Sequence, residues 1–201
     1  MTKIKICGIT RFVDIEYLNE FQPEYAGFVF AKSKRQVNKN HAFNLIKNLR
    51  SDIKKVGVFV DEDPAVVLEI ADKLKLQVLQ FHGHENQEYI SKFKGYEIWK
   101  ALKINNLESI AEIRNYKCVK FLLDNSIPGS GESFNWKLVQ QKIEGSLVML
   151  AGGLTSENVE QGILKLEPYG VDVSTGVETQ GFKDYKKIKE FIRKVRELYE
   201  R

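Results

Sequence analysis

The sequence predicts an α/β fold of one domain, a (β/α)8 or TIM barrel spanning residues 1–201. Three observations predict it. Short β-rich apolar runs alternate eight times with longer amphipathic ones. Several of the short runs are apolar at nearly every position, as parallel strands covered on both faces are. Reactive and polar side chains gather where the short runs end, which is the rim on which barrel enzymes build their sites. Eight such units favour a closed barrel over an open doubly wound sheet. No linker, composition break or low-complexity tract divides the chain.

The first unit pairs a strand over Ile4–Cys7 with a helix over Phe12–Phe21. The second pairs Tyr25–Phe30 (Tyr-Ala-Gly-Phe-Val-Phe) with Lys39–Leu49. Lys55–Val60 (Lys-Val-Gly-Val-Phe-Val) precedes Pro64–Leu74, where Pro64 suits a first helical turn. Strands over Gln77–Phe81, Glu97–Leu102 and Val119–Asp124 precede helices over Asn86–Phe93, Leu107–Asn115 and Asn135–Ile143. Leu147–Ala151 leads to Thr155–Leu164, and Gly170–Ser174 to a last helix over Asp184–Tyr199. The stretch Lys183 to Arg201 alternates charge signs at helical spacing, the pattern of a solvated helix face.

Composition narrows the function. Hydrophobic residues are 43% and charged residues 29%, which is ordinary for a soluble globular chain. No apolar run approaches a membrane span, and Met1-Thr2-Lys3 runs straight into strand-like sequence without a signal peptide. Only Cys7 and Cys118 carry thiols, so a disulfide framework is not expected and a cytoplasmic setting is. No Cys/His cluster has zinc spacing. The net charge of +4 suits anionic small molecules; with lysines and glutamates mixed and no basic run interleaved with aromatics, no nucleic acid or membrane partner is expected.

The strand ends hold the candidate chemistry. Cys7 closes strand one, before Gly8 and Thr10. It reads either as a nucleophilic thiol or as a small buried hydrophobe. Arg35 follows strand two; it is a surface charge or a two-pronged grip on a carboxylate. His82 ends strand four and Asp124 strand six; the histidine reads either as a substrate-binding residue or as a structural one. After strand seven, Gly152 and Gly153 offer amide groups ahead of a helix expected near Thr155. After strand eight, Ser174, Thr175 and Gly176 add amides and hydroxyls. Alone these are tight turns; after strands seven and eight of one barrel they favour a phosphate site. Asp172 either helps hold substrate or is a structural carboxylate bonded to loop amides. The Gly129-Ser130-Gly131-Glu132-Ser133-Phe134 loop reads as a substrate cover, and Cys118, at the opposite rim, as core packing.

These segments together resemble the phosphoribosylanthranilate isomerase family of tryptophan biosynthesis. The resemblance is carried by Lys5-Ile6-Cys7-Gly8-Ile9-Thr10, by Gly27-Phe28-Val29-Phe30 with Ser33-Lys34-Arg35, and by Val56-Gly57-Val58-Phe59. It continues through Leu79-Gln80-Phe81-His82-Gly83, Leu122-Leu123-Asp124, Gly129-Ser130-Gly131 with Phe134 and Trp136, and Leu150-Ala151-Gly152-Gly153-Leu154 with Asn158-Val159. Gly170-Val171-Asp172-Val173-Ser174-Thr175-Gly176-Val177-Glu178 completes it. Departures are Pro128 for a further glycine, Ser130 and Thr175 exchanging threonine and serine, and Asn135 for aspartate.

The resemblance implies an Amadori rearrangement of N-(5'-phosphoribosyl)anthranilate to 1-(2-carboxyphenylamino)-1-deoxyribulose 5-phosphate, the third step from chorismate. It implies Asp124 as acid and Cys7 as base, with no metal or redox cofactor. Arg35 would hold the anthranilate carboxylate, and Gly152, Gly153, Ser174, Thr175 and Gly176 the phosphate. Free amides near Gly8, or the cationic intermediate, would help ionise Cys7. A monomer or homodimer is expected. The rival readings are another phosphate-binding barrel, a sugar-phosphate epimerase or an indole-glycerol-phosphate synthase-like enzyme, and a non-catalytic barrel or redox sensor. The first two want paired aspartates, a metal set, or a lysine and glutamate on the strands. The sensor wants a resolving cysteine near Cys7.

Overall fold

The computed structural model of the chain describes residues 1–103, 111–117, 120–124 and 147–200. Eight parallel strands close into a barrel in sequence order: β1 (Lys3–Cys7), β2 (Tyr25–Val29), β3 (Lys54–Phe59), β4 (Val78–Phe81), β5 (Glu97–Lys103), β6 (Lys120–Asp124), β7 (Val148–Leu150) and β8 (Gly170–Val173). Closure is made by β1 against β8, with Lys5 opposite Asp172. The predicted barrel is therefore present, and its strand ends move by a residue or two from the predicted limits.

Alternation along each strand divides the core in two. Ile4, Ile6, Ala26, Phe28, Leu79, Phe81, Phe121, Leu123, Val171 and Val173 face outward, into the apolar layer shared with the helices. Tyr25, Val56, Val78, Trp99, Ala101, Leu122, Met149 and Ala151 fill the barrel interior. The Tyr25 and Trp99 rings meet edge to face 4.8 Å apart and plug the end where the strands begin. The interior above this plug belongs to β1 and its neighbours, where Lys5 and Cys7 take the inward positions.

The helices begin at caps that the sequence supplies. α1 (Phe12–Phe21) starts where the Asp14 carboxylate accepts the backbone N–H groups of Thr10 and Arg11. Asn38, Asp63 and Asn86 cap α2 (Lys39–Ile46), α3 (Pro64–Leu74) and α4 (Gln87–Ile90) by accepting N–H groups of the first turn. Asp184 accepts from Lys186 and Lys187 at the start of α6 (Tyr185–Glu197). Positive φ at Gln22 and Lys75 ends α1 and α3.

Three expectations need correction. The helix predicted over Asn86–Phe93 is the single turn of α4, because Ser91 N–H and the residues after it settle into a tight turn before β5. The helix predicted from Thr155 begins four residues later, as α5 (Val159–Leu166). Asn158 causes the delay: its side chain accepts the Thr155 N–H and donates to the Gly153 carbonyl, and Thr155 Oγ1 accepts the Glu157 N–H. Between β8 and α6, where no element is predicted, the chain carries a two-stranded hairpin, β9 (Glu178–Thr179) and β10 (Phe182–Lys183). Gln180 and Gly181 turn it, both at positive φ. Of the helix predicted over Leu107–Asn115, the described part is a 3-10 turn at Glu112–Asn115. Cys118, the 125–134 loop and the helix predicted over Asn135–Ile143 lie outside the described residues.

Candidate active site

A cavity of about 460 Å³ opens at the end of the barrel where the strands finish. All ten site residues expected from the sequence line it: Cys7, Arg35, His82, Asp124, Gly152, Gly153, Asp172, Ser174, Thr175 and Gly176. They arrive on the ends of six different strands, so the closed sheet is what gathers residues separated by up to about 170 positions.

The wall formed by β2 and β3 is apolar, with Val29, Ala31, Val58 and Val60. On its far side His82 Nε2 lies 3.2 Å from Asp124 Oδ2. Gln80, buried two residues before His82 on β4, places its amide Nε2 3.3 Å from His82 Nδ1. With the amide as donor, Nδ1 accepts and the imidazole proton sits on Nε2, pointing at Asp124.

Cys7 faces Asp124 from the opposite side of the ring. Its side chain is nearly enclosed, and burial pushes the thiol above its ordinary pKa against the pull of Lys5. Lys5 lies two positions earlier on the same inward face and donates to Asp172 Oδ1 at 2.9 Å. Burial lowers the Lys5 pKa, but Asp172 and Cys7 more than offset it, so the group is an ammonium. Asp172 therefore bonds to a buried cation and, among the described residues, accepts from no loop amide. The amides after Cys7 are not free either: Gly8 and Ile9 both donate to the Gly27 carbonyl, at 2.9 and 3.1 Å.

Arg35 is tied down, not waving from the surface. Its Nε and Nη2 donate to the two oxygens of Glu178, each at 2.7 Å, and Nη2 also donates to Thr175 Oγ1 at 3.1 Å. Gly8 makes room for this crossing, since a Cβ there would fall 2.3 Å from Arg35 Cδ. Lys183 reaches Glu178 from β10 and donates to the Ser174 carbonyl at 3.1 Å. Burial raises the Glu178 pKa, but Arg35 and Lys183 together hold it below the usual carboxylate value. Lys183 is itself lowered by burial.

The loops after β7 and β8 form one concavity. Gly152 and Gly153 both have positive φ, 76° and 67°, and their N–H groups meet no acceptor among the described residues. Gly176 packs so closely on the other loop that a Cβ would lie 1.9 Å from the Leu154 carbonyl oxygen. Free amides at such a concavity suit an anion, although the α5 N-terminus lies further off than expected.

Sequence reasoning missed Lys5, Gln80, Glu178 and Lys183 as working parts. Lys5 and Gln80 had a signal, since each stands two residues before a predicted site residue on the same strand face. Glu178 and Lys183 have none, because the sequence does not mark the hairpin that turns them inward.

The chain was compared with known proteins. Residues 4–194 match the family model for N-(5'phosphoribosyl)anthranilate (PRA) isomerase. The N-(5'-phosphoribosyl)anthranilate isomerase of Thermoanaerobacter pseudethanolicus is 50% identical over 200 residues, covering 98% of both chains. A structure of monomers generated from the dimeric enzyme of Thermotoga maritima superposes with a TM-score of 0.88 at 35% identity, covering 98% of this chain and 100% of that one. A second structure, of the isomerase in complex with reduced 1-(o-carboxyphenylamino)-1-deoxyribulose 5-phosphate, gives 0.88 at 34% identity with the same coverage. A barrel of this topology, matched over nearly its whole length at this identity, belongs to the N-(5'-phosphoribosyl)anthranilate isomerase family.

Proposed function

We propose that this isomerase rearranges N-(5'-phosphoribosyl)anthranilate to 1-(2-carboxyphenylamino)-1-deoxyribulose 5-phosphate, with Asp124 as general acid and Cys7 as general base. Asp124 gives its proton to the ribose ring oxygen as the C1–O bond breaks, and the nitrogen lone pair forms the C1=N Schiff base. The Cys7 thiolate then takes the C2 proton. The freed electron pair forms C1=C2 and neutralises the nitrogen, and the enolamine tautomerises to the ketone. The observation that carries the reading is the convergence of Cys7 and Asp124 on one cavity that has an arginine at one sector and free glycine amides at another.

Such a layout suits a substrate with a carboxylate at one end and a phosphate at the other. The aromatic ring lies on the Val29, Val58 and Val60 wall, its carboxylate meets Arg35, and the phosphate sits between Gly152-Gly153 and Ser174-Thr175-Gly176. Arg35 Nη1, which has no partner among the described residues, is the donor left for the carboxylate. Holding both ends orients the sugar between acid and base. The protein works in the cytoplasm as a monomer or homodimer.

Adding the protein to the fluorescent anthranilate adduct tests this directly, beside a histidine-pathway aminoaldose for substrate breadth. The emission is lost on turnover. Cys7→Ala and Asp124→Asn should each lower kcat by about 10²–10⁴-fold with little change in KM. Unchanged turnover in either variant removes that residue from its role.

A further inference from the structure

We infer that Lys5 is a positioning residue for Cys7: its ammonium, held between the Asp172 carboxylate and the Cys7 sulfur inside the barrel, is the counter-charge that makes the thiolate attainable. The inference rests on the reading of Cys7 as the base and adds what activates it.

Backbone register already places the three groups together. Lys5 is the β8 partner of Asp172, and Cys7 is the β2 partner of Gly27. Partners in a parallel pair point to the same face, and residues two apart on a strand share it, so Lys5, Cys7 and Asp172 all face the interior. Gly27 leaves the space they occupy. A Cβ there would lie 2.8 Å from Cys7 Sγ and 3.1 Å from Lys5 Cε. Those two atoms therefore lie within about 6 Å of each other, and the ammonium nitrogen bonded to Cε is within hydrogen-bonding reach of the sulfur; a unit charge at such a range moves a neighbouring pKa by roughly one unit or more.

An ammonium with no exposed surface needs an anion beside it to stay charged; Asp172 supplies one at 2.9 Å, and without Asp172 the Cys7 thiolate is the anion left to it. Asp172 also sets a limit, since its own charge opposes a second anion on Cys7. Among the described residues, the other charged groups near Cys7 are Lys183, from β10, and Arg35, from the loop after β2, both already bonded to Glu178; Asp124 and His82 face it from across the cavity. Ser174 Oγ donates to the Cys7 carbonyl and not to the sulfur. Lys5 is thus the largest influence favouring the thiolate, ahead of Lys183.

Alkylation of Cys7 by iodoacetamide, followed against pH in the full-length protein at the Cys7-containing peptide by mass spectrometry, tests the inference. The midpoint should rise by roughly one unit or more in Lys5→Met and fall in Asp172→Asn. Both variants break the same ion pair, so lost structural support cannot move the midpoint in opposite directions. An unmoved midpoint in Lys5→Met, or an upward shift in Asp172→Asn, overturns the inference. If Lys5→Met does not fold, the sign in Asp172→Asn decides alone. Alkylation needs no turnover, so this result is independent of whether Cys7→Ala loses activity.

Discussion

His82 donates through Nε2 to Asp124 Oδ2 across 3.2 Å, while Gln80, buried behind it, fixes the imidazole from its other nitrogen. The Asp124 carboxyl is therefore oriented by a chain of side chains rooted inside the barrel. On the proposed role Asp124 becomes a carboxylate as it gives up its proton, and a bond of this kind to a charged group contributes about 1.5–3 kcal/mol.

The first prediction follows from that chain. His82→Ala leaves the cavity open but lets the Asp124 carboxyl turn away from the ring oxygen. Turnover should fall by about 10–100-fold, the equivalent of one such bond, while KM stays within about twofold. Steady-state kinetics separate the two. A raised KM at full kcat would make His82 a binding residue instead.

Arg35 binds Glu178 through two parallel hydrogen bonds, and that fork fixes the plane in which its remaining nitrogen faces the cavity. A lysine keeps the charge but not the fork. Arg35→Lys should therefore raise KM by about tenfold or more and change kcat far less, because the contact is to a part of the substrate away from the bonds that change. An equal loss in kcat would mean that Arg35 also acts in the rearrangement.

Glu178 sits between Arg35 and Lys183 with little exposed surface, and those two cations hold its carboxyl below the ordinary range despite burial. A depressed folded value stabilises the protein at pH above the unfolded carboxylate pKa of about 4.3. That contribution is lost as pH falls through the folded value. Glu178→Gln strands two cations, and since Arg35 is partly exposed the cost near neutral pH should lie toward the low end of about 3–5 kcal/mol. Urea unfolding at about pH 7 and about pH 3 should show the parent and variant converging in acid. A gap that does not change with pH would detach the ion triad from stability.

The barrel and its rim were legible because strand and helix periods differ and because strand ends are where the polar residues stand. Cys7, His82 and Asp124 each close an apolar run, so their common cavity follows from the topology alone. What lay deeper was not legible in the same way. Lys5 interrupts an apolar strand, and only the closure of β1 on β8 shows that its charge meets Asp172. Glu178 and Lys183 reach the site through a hairpin whose turn uses Gln180 at positive φ, a residue with little preference for that conformation. The late start of α5 was hidden for a different reason: Asn158 bonds locally to Thr155 and Gly153 and so competes with the helix.

The same loop yields the last prediction. Gly176 approaches the Leu154 carbonyl so closely that a methyl group would lie 1.9 Å from its oxygen, and backbone on both sides leaves nothing flexible to move aside. Gly176→Ala must part the loops after β7 and β8. The concavity then no longer converges on one anion, and KM for the phosphorylated substrate should rise by about 10–100-fold, the value of one charge-assisted hydrogen bond. Inhibition by inorganic phosphate should weaken by the same factor, because that ion needs only this part of the cavity. If KM rises while phosphate inhibition is untouched, the loops hold the sugar and the phosphate binds elsewhere.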